Sequence, residues 1–268
     1  MTIQQVFEQL RRRREMALIP YLTAGFPSLD ESMQALRTIA ESGADLVELG
    51  VPFCDPVADG PTIQQASQDA LDGGVTLPGI FDALKREPVS IPLIIMSYLN
   101  PLLALGEERL WKEMADAGVS GLVVPDLPLE EAGGWVEATR SRGISLILLV
   151  APTSSGERAA EIAACCGGFI YCVSITGTTG ARDGLSDDLA PVLERLRGAT
   201  NLPLAVGFGI SRPSQIIELR GKADGVVVGS RIVDAIRNGE DLRELVGQLK
   251  EATRSKSHVG SHGAESDG

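Results

Sequence analysis

The stretch Asp45-Leu46-Val47-Glu48-Leu49-Gly50-Val51-Pro52-Phe53-Cys54-Asp55-Pro56-Val57-Ala58-Asp59-Gly60-Pro61 joins two signals that conflict. Leu46–Leu49 is a short apolar run of the kind that forms a buried strand, yet it carries Glu48. A stiff loop follows, with Pro52, Pro56 and Pro61 and two more carboxylates, Asp55 and Asp59. Burying a glutamate as an anion is costly, and is tolerated where the side chain points into a site or meets a partner.

The same kind of run recurs along the chain, at Ala17–Leu22, Leu46–Leu49, Leu93–Met96, Gly121–Val124, Ser145–Val150, Phe169–Val173, Leu204–Val206 and Gly225–Val228. Each is almost wholly apolar and rich in Val, Leu and Ile, the pattern of parallel strands buried on both faces. Amphipathic stretches fill the gaps. A helix begins near Thr2, and Asp30–Glu41 places Met33, Leu36, Ile39 and Ala40 on one face. Thr62–Leu71 and Leu77–Arg86 occupy the long gap after Glu48. Glu107–Ala117, Glu130–Arg140, Gly156–Ala164, Asp187–Arg197, Pro213–Arg220, Arg231–Arg237 and Asp241–Thr253 follow. Pro92 and Pro203 open their strands, where a missing N–H is harmless, whereas Pro20 lies inside the first strand and fits less well. This alternation over about 250 residues predicts an α/β fold, a single (β/α)8 TIM barrel with additional short helices, over residues 1–253. An open doubly wound sheet is the competing architecture, and its G-x-G-x-x-G turn is missing after the first strand. Residues 254–268 are polar and aperiodic, and are predicted to be a disordered tail.

Composition narrows the chemistry. Of 268 residues, 44% are hydrophobic and only 4% aromatic, so the core must be aliphatic. The only histidines, His258 and His262, lie in the tail. Histidine-based triads and most zinc chemistry are thereby excluded from the folded body, and acid/base work falls to carboxylates, tyrosine or lysine. Cys54, Cys165, Cys166 and Cys172 form no C-x-x-C pair. A net charge of −12 argues against nucleic acid, and Arg11–Arg14 reads as a solvated helix face. No apolar run approaches a membrane span and no signal peptide opens the chain, so the expected location is cytoplasmic with reduced thiols.

In such a barrel the site lies at the C-terminal ends of the strands. These carry Thr23, Glu48, Tyr98 with Asn100, Asp126, Thr153, Tyr171, Gly209, and Gly229 with Ser230. No lysine stands among them, which argues against Schiff-base and pyridoxal phosphate chemistry in this chain. Glu48 is assigned to function by its strand-end position, in preference to a buried carboxylate satisfied by neighbours. Turn chemistry accounts for Asp55, and Asp59 is open between a turn and the site. Asp126 reads as a loop anchor, while Tyr98 and Tyr171 either line the pocket or tune Glu48 by hydrogen bonding, or else pack the core. Three glycine turns, Thr176–Gly180, Gly207–Ser211 and Val228–Ser230, lie where this fold commonly binds phosphate through backbone N–H groups and a short helix N-terminus. Ser230 would be the N-cap of that helix, and Gly177 and Gly180 could hinge a lid.

Several stretches together resemble the tryptophan synthase alpha subunit family over about Ile3–Lys250. They are Pro20-Tyr21-Leu22-Thr23-Ala24-Gly25-Phe26-Pro27, Glu48–Pro61, Ser97-Tyr98-Leu99-Asn100-Pro101, Val124-Pro125-Asp126-Leu127-Pro128, Thr176–Gly180, Gly207–Ser211 and Gly229-Ser230. The Glu48–Pro61 stretch is the specific one; the glycine turns are shared with many phosphate-binding barrels. The resemblance implies retro-aldol cleavage of indole-3-glycerol phosphate to indole and glyceraldehyde 3-phosphate. It implies Glu48 as general acid/base and Asp59 as a partner carboxylate near the indole nitrogen. It also implies Tyr171 in the pocket, Thr179 in the lid, and Gly180, Gly209, Gly229 and Ser230 around the phosphate. Tyr98, Asn100 and Thr23 remain pocket candidates. No cofactor is implied in this chain; pyridoxal phosphate belongs to a beta subunit, with which an alpha2beta2 heterotetramer is expected. Thr178, where the family often has valine, and Cys54, where serine is frequent, depart from the pattern. The competing functions are a sugar-phosphate isomerase or epimerase, a free-standing indole-producing lyase, and an inactive ligand-binding regulatory barrel. Missing strand-end histidine and lysine weigh against the first, and the presence of both Glu48 and Asp59 against the last.

Overall fold

The computed structural model describes residues 1–173, 189–207 and 209–255. Its strands are β1 (Ala17–Thr23), β2 (Val47–Gly50), β3 (Leu93–Met96), β4 (Val119–Val123), β5 (Ser145–Ile147), β6 (Leu149–Val150), β7 (Ile170–Val173), β8 (Leu204–Gly207) and β9 (Gly225–Val228). All pairings between them are parallel, in the order β5-β4-β3-β2-β1-β9-β8-β7-β6. The expected strand Ser145–Val150 is interrupted at Leu148: β5 pairs with β4 and β6 with β7. The two ends of the sheet are therefore one continuous piece of chain, and the sheet closes into a TIM barrel.

Helices cover the outside. They are α1 (Ile3–Arg13), α2 (Leu29–Glu41), α3 (Pro61–Asp72), α4 (Leu77–Arg86), α5 (Leu99–Leu105), α6 (Glu107–Asp116), α7 (Ala132–Arg140), α8 (Gly156–Cys165), α9 (Leu189–Ala199), α10 (Pro213–Leu219), α11 (Ser230–Arg237) and α12 (Leu242–Thr253). Glu130, expected to open α7, instead lies in a short 3-10 turn, Leu129–Glu131. Helix α5 has no counterpart among the helices expected from the sequence. Pro101 sits in its first turn, where no intrahelical N–H is needed, and Asp126 Oδ1 accepts the N–H of Leu99 at 2.9 Å. Asp126 is thus the anchor its position suggested. Pro20 is accommodated because β1 pairs with β9 up to Pro20↔Val228 and with β2 from Tyr21↔Glu48. The missing N–H falls where one neighbour hands over to the other.

The two-residue period of the strands sorts the core. Ala17, Ile19, Tyr21, Leu46, Ile94, Met96, Val123, Ile147, Phe169, Tyr171, Ala205 and Val227 form the cluster inside the barrel. Leu18, Leu22, Val47, Leu49, Ile95, Leu122, Leu146, Cys172, Val206 and Val226 pack outward against the helices. Since Leu46 faces in while Val47 and Leu49 face out, Glu48 faces in.

Helix α1 closes the N-terminal end. Thr2 caps it reciprocally with Gln5, each taking the other's N–H, at 2.9 and 3.2 Å. Ile3, Val6, Phe7 and Leu10 join the inner cluster, each contributing roughly 1.5–3 kcal/mol by burial. Phe7 packs on Phe169 with ring centres 5.6 Å apart. A Cβ on Gly121 would meet the side chains of Ile3, Ile147 and Ile94 at 2.8, 3.1 and 3.2 Å, so the glycine gives the helix room to seat closely. At the same end Lys250 Nζ bonds both oxygens of Asp45 at 3.0 and 2.8 Å and pairs with Glu15 at 3.2 Å. The first tail residues are held as well: Arg254 bridges to Glu15, and Ser255 Oγ donates to the carbonyl of Arg14 at 3.0 Å. With this end plugged, the C-terminal ends of the strands form the open mouth.

Candidate active site

Glu48 sits on β2 in register with Tyr21 on β1 and Ile94 on β3. It is fully buried, and neither carboxyl oxygen has a hydrogen-bond partner among the described residues. Burial first, and then the charge of Asp59, push its pKa up to about 8. A carboxyl group there is a neutral acid at pH 7, which resolves the conflict posed by its sequence setting.

Asp59 comes from the loop between β2 and α3. The loop turns through the N–H of Asp59 on the carbonyl of Pro56 at 3.0 Å, and Gln64 Nε2 donates to the Asp59 carbonyl at 2.8 Å. Helix α3 starts directly after it, with Pro61 at its first position. The carboxylate is held by Tyr98, whose hydroxyl donates to Asp59 Oδ2 at 3.1 Å and accepts the N–H of Ala58 at 2.9 Å. The Tyr98 ring rests on Phe53, with centres 5.3 Å apart. Partial burial raises Asp59 to about 6, and the Tyr98 hydrogen bond limits the rise. The two carboxyls therefore separate: Asp59 ionises first, and its charge then opposes ionisation of Glu48.

Two tyrosines complete the interior around Glu48. Tyr171 on β7 lies against Gly207, where a Cβ would fall 2.4 Å from its ring. Tyr21 lies over Gly50, where a Cβ would fall 2.0 Å from its hydroxyl oxygen. Burial lifts both phenols above their usual range, and the carboxylates add to it: Asp59 then Glu48 for Tyr21, and Glu48 foremost for Tyr171. Thr23 is buried and shares a 3.4 Å contact with the Tyr21 hydroxyl. Asn100, by contrast, is exposed on α5 rather than turned into the barrel.

On the far side of the mouth, Gly209 has φ +82°, a conformation glycine alone adopts without strain. Its loop is organised by buried Gln215 of α10. Gln215 Oε1 accepts the N–H groups of Ser211 and Arg212 at 2.9 and 3.0 Å, and its Nε2 donates to the Gly209 carbonyl at 3.1 Å. Helix α11 starts one residue earlier than expected: Gly229 is its N-cap and Ser230 its first residue. A Cβ there would stand at ordinary contact distance from Ile63 and Tyr21, 3.4 and 3.6 Å, so Gly229 lies against the inner wall of the barrel. Thr179 and Gly180, with the rest of Thr176–Gly180, lie outside the described residues.

A family model described as the tryptophan synthase alpha chain matches residues 7–260. The chain belongs to the tryptophan synthase alpha chain family. It is 47% identical over 259 residues to the tryptophan synthase alpha chain of Citrifermentans bemidjiense, covering 95% of this chain and 97% of that one. The corresponding chain of Carboxydothermus hydrogenoformans is 45% identical over 238 residues, covering 88% and 89%. Among solved structures, tryptophan synthase from Mycobacterium tuberculosis matches with a TM-score of 0.87 at 36% identity, covering 94% of this chain and 98% of that one. Tryptophan synthase subunit alpha from Legionella pneumophila matches with a TM-score of 0.84 at 31% identity and the same coverage. A tryptophan synthase alpha chain cleaves indole-3-glycerol phosphate to indole and glyceraldehyde 3-phosphate, so this member is a carbon–carbon lyase of tryptophan biosynthesis. No helix among the described residues is long and apolar enough to cross a membrane.

Tyr21 and Gln215 are the site residues that a reading of the sequence passes over. The signal for Tyr21 is its place two residues before Thr23 on one inward face. Gln215 carries no comparable signal, since a polar residue in the first turn of a helix is ordinary.

Proposed function

We propose that this tryptophan synthase alpha chain cleaves its substrate by carboxylate acid/base catalysis, with Glu48 as the movable acid and Asp59 as the fixed charge. One observation carries the reading. A fully buried glutamate with both oxygens unpartnered stands at the open end of the barrel, electrostatically coupled to a second carboxylate clamped by a tyrosine. The neutral Glu48 gives its proton to indole C3, forming the indolenine. Positive charge develops at the ring nitrogen and is stabilised by ionised Asp59. Glu48, now a carboxylate, removes the proton of the hydroxyl on the carbon attached to C3. The bond from C3 to that carbon breaks, its electron pair returns to the ring as indole, and the carbon becomes the aldehyde of glyceraldehyde 3-phosphate. Glu48 ends as it began, protonated.

The substrate phosphate is assigned to the Gly209 loop and the N-terminus of α11 at Gly229 and Ser230, where helix N–H groups favour an anion. Thr179, Gly180 and Tyr171 are assigned to closing and lining the pocket, and Thr23 to lining it. The chain itself would use no cofactor, because each proton moves on a carboxylate. Its partner would be a beta subunit that holds pyridoxal phosphate, in a cytoplasmic alpha2beta2 assembly. Val57 and Leu103, large apolar residues exposed at the mouth, support docking there; the glycine turn expected to carry the lid, Thr176–Gly180, lies outside the described residues. The folded unit is assigned to residues 1–253.

The test is indole release from indole-3-glycerol phosphate, measured alone and with a cognate beta subunit. Glu48→Gln and Asp59→Asn should each remove nearly all cleavage while the barrel stays folded. Substantial turnover by Glu48→Gln would sink the assignment. Full activity of the wild type without a beta subunit would instead favour a free-standing lyase.

A further inference from the structure

Tyr21 faces the same interior as Glu48, but nearer the mouth. The two are register partners on β1 and β2, and the phenol extends along the barrel until its hydroxyl lies over Gly50, two residues beyond Glu48 on the same inward face. That displacement is about 7 Å along a strand, toward the loop that carries Asp59. The hydroxyl's partner there is Thr23 Oγ1 at 3.4 Å, a long contact in which either oxygen can donate. Glu48 meanwhile has two buried oxygens and no donor among the described residues. An acid that stays neutral tolerates this, but an acid that must pass through its anion inside an apolar barrel does not.

We propose that Tyr21 is a positioning residue for the cleavage reaction, turning its O–H from Thr23 to Glu48 when Glu48 has given up its proton. The inference rests on Glu48 being the acid/base. The exchange costs little, because the bond it breaks is long. It gives the transient carboxylate a donor while that carboxylate waits to remove the hydroxyl proton. The other titratable groups that face Glu48 are Asp59 from the loop before α3 and Tyr171 from β7; Tyr98, at the start of α5, faces Asp59 and Tyr21. Tyr98 is committed to Asp59 and the Ala58 N–H. Burial together with both carboxylates holds the Tyr21 phenol in its protonated, donating form.

The experiment compares wild type, Tyr21→Phe, Thr23→Val and Glu48→Gln in the assembled enzyme, over a full pH range. Tyr21→Phe keeps the ring and its packing. It should lower kcat about ten- to a hundredfold, the worth of a hydrogen bond to a charged group, with KM within about twofold. The alkaline limb of its kcat/KM profile should move to higher pH, because a lost donor disfavours the anion of Glu48. Thr23→Val keeps the Tyr21 donor, so, whatever the change in a lining residue does to KM, it should not move the alkaline limb to higher pH. A merely structural role for Tyr21 would leave the alkaline limb in place. If Glu48→Gln is dead while Tyr21→Phe matches wild type in kcat and in the alkaline limb, this inference falls alone. If Glu48→Gln retains turnover, the Glu48 assignment falls and the inference falls with it.

Discussion

Tyr98 holds Asp59 from two directions, donating its hydroxyl hydrogen to Oδ2 at 3.1 Å while its oxygen accepts the N–H of Ala58 at 2.9 Å. One phenol thus fixes both the carboxylate and the backbone beside it. Tyr98→Phe should release the carboxylate and raise the pKa of Asp59 further above about 6, because the lost bond is the one that opposes the effect of burial. The acidic limb of the kcat/KM profile should move to higher pH, and kcat/KM at pH 7 should fall roughly tenfold, the worth of one charge-assisted hydrogen bond. An unmoved acidic limb would count against Asp59 acting as an anion.

The place of Glu48 was legible because a carboxylate in an apolar strand has few tolerated explanations, and alternation places it inward. The place of Asp59 was legible only through the family resemblance, since an Asp-Gly step by itself reads equally as a turn until Tyr98, 39 residues on, is seen to close on it. Tyr21 was passed over because an inward tyrosine in an apolar strand looks the same whether or not its hydroxyl has work. Helix α5 was hidden by Pro101, which reads as a helix breaker unless the helix start is known. The interruption at Leu148 was invisible too, because strand limits within one long apolar run depend on which neighbour each half pairs with.

The two carboxyls predict a bell-shaped kcat/KM profile, rising through about pH 6 as Asp59 ionises and falling through about pH 8 as Glu48 does. The same burial affects stability. In the folded state Glu48 keeps its proton to about pH 8, against an ordinary value of 4.5. Between those values the folded state binds more protons than the unfolded state, so stability falls as pH rises through that window. Glu48→Gln removes the titration. Its Tm should lie closest to that of wild type near pH 4 and gain on it steadily up to pH 9. Parallel melting curves with a constant offset would show that Glu48 is not buried as an acid.

Gly50 is required by Tyr21 rather than by a turn. A Cβ at position 50 would sit 2.0 Å from the Tyr21 hydroxyl and 2.5 Å from the ring carbon that bears it. Gly50→Ala should therefore displace the phenol within the closed interior and destabilise the barrel by about 1–3 kcal/mol, the usual cost of overpacking. Denaturant titration measures this directly. The double variant Gly50→Ala/Tyr21→Phe should recover part of the loss, because removing the hydroxyl relieves the nearest clash. A double variant no more stable than Gly50→Ala would place the strain elsewhere.

Gln215 spends its whole amide on the loop that carries Gly209. Its oxygen accepts two successive N–H groups, of Ser211 and Arg212, and its nitrogen donates to the Gly209 carbonyl. No hydrocarbon of the same size can replace these three bonds, and the glutamine is buried, so the freed backbone groups would not all find water. Gln215→Leu should loosen the loop assigned to the phosphate without touching Glu48 or Asp59. KM for indole-3-glycerol phosphate should rise roughly tenfold with kcat changed by less than about threefold, the pattern of lost ground-state binding. The limbs of the pH profile should stay where they are, since neither titrating group gains or loses a partner. A fall in kcat at unchanged KM would instead tie this loop to the chemical step.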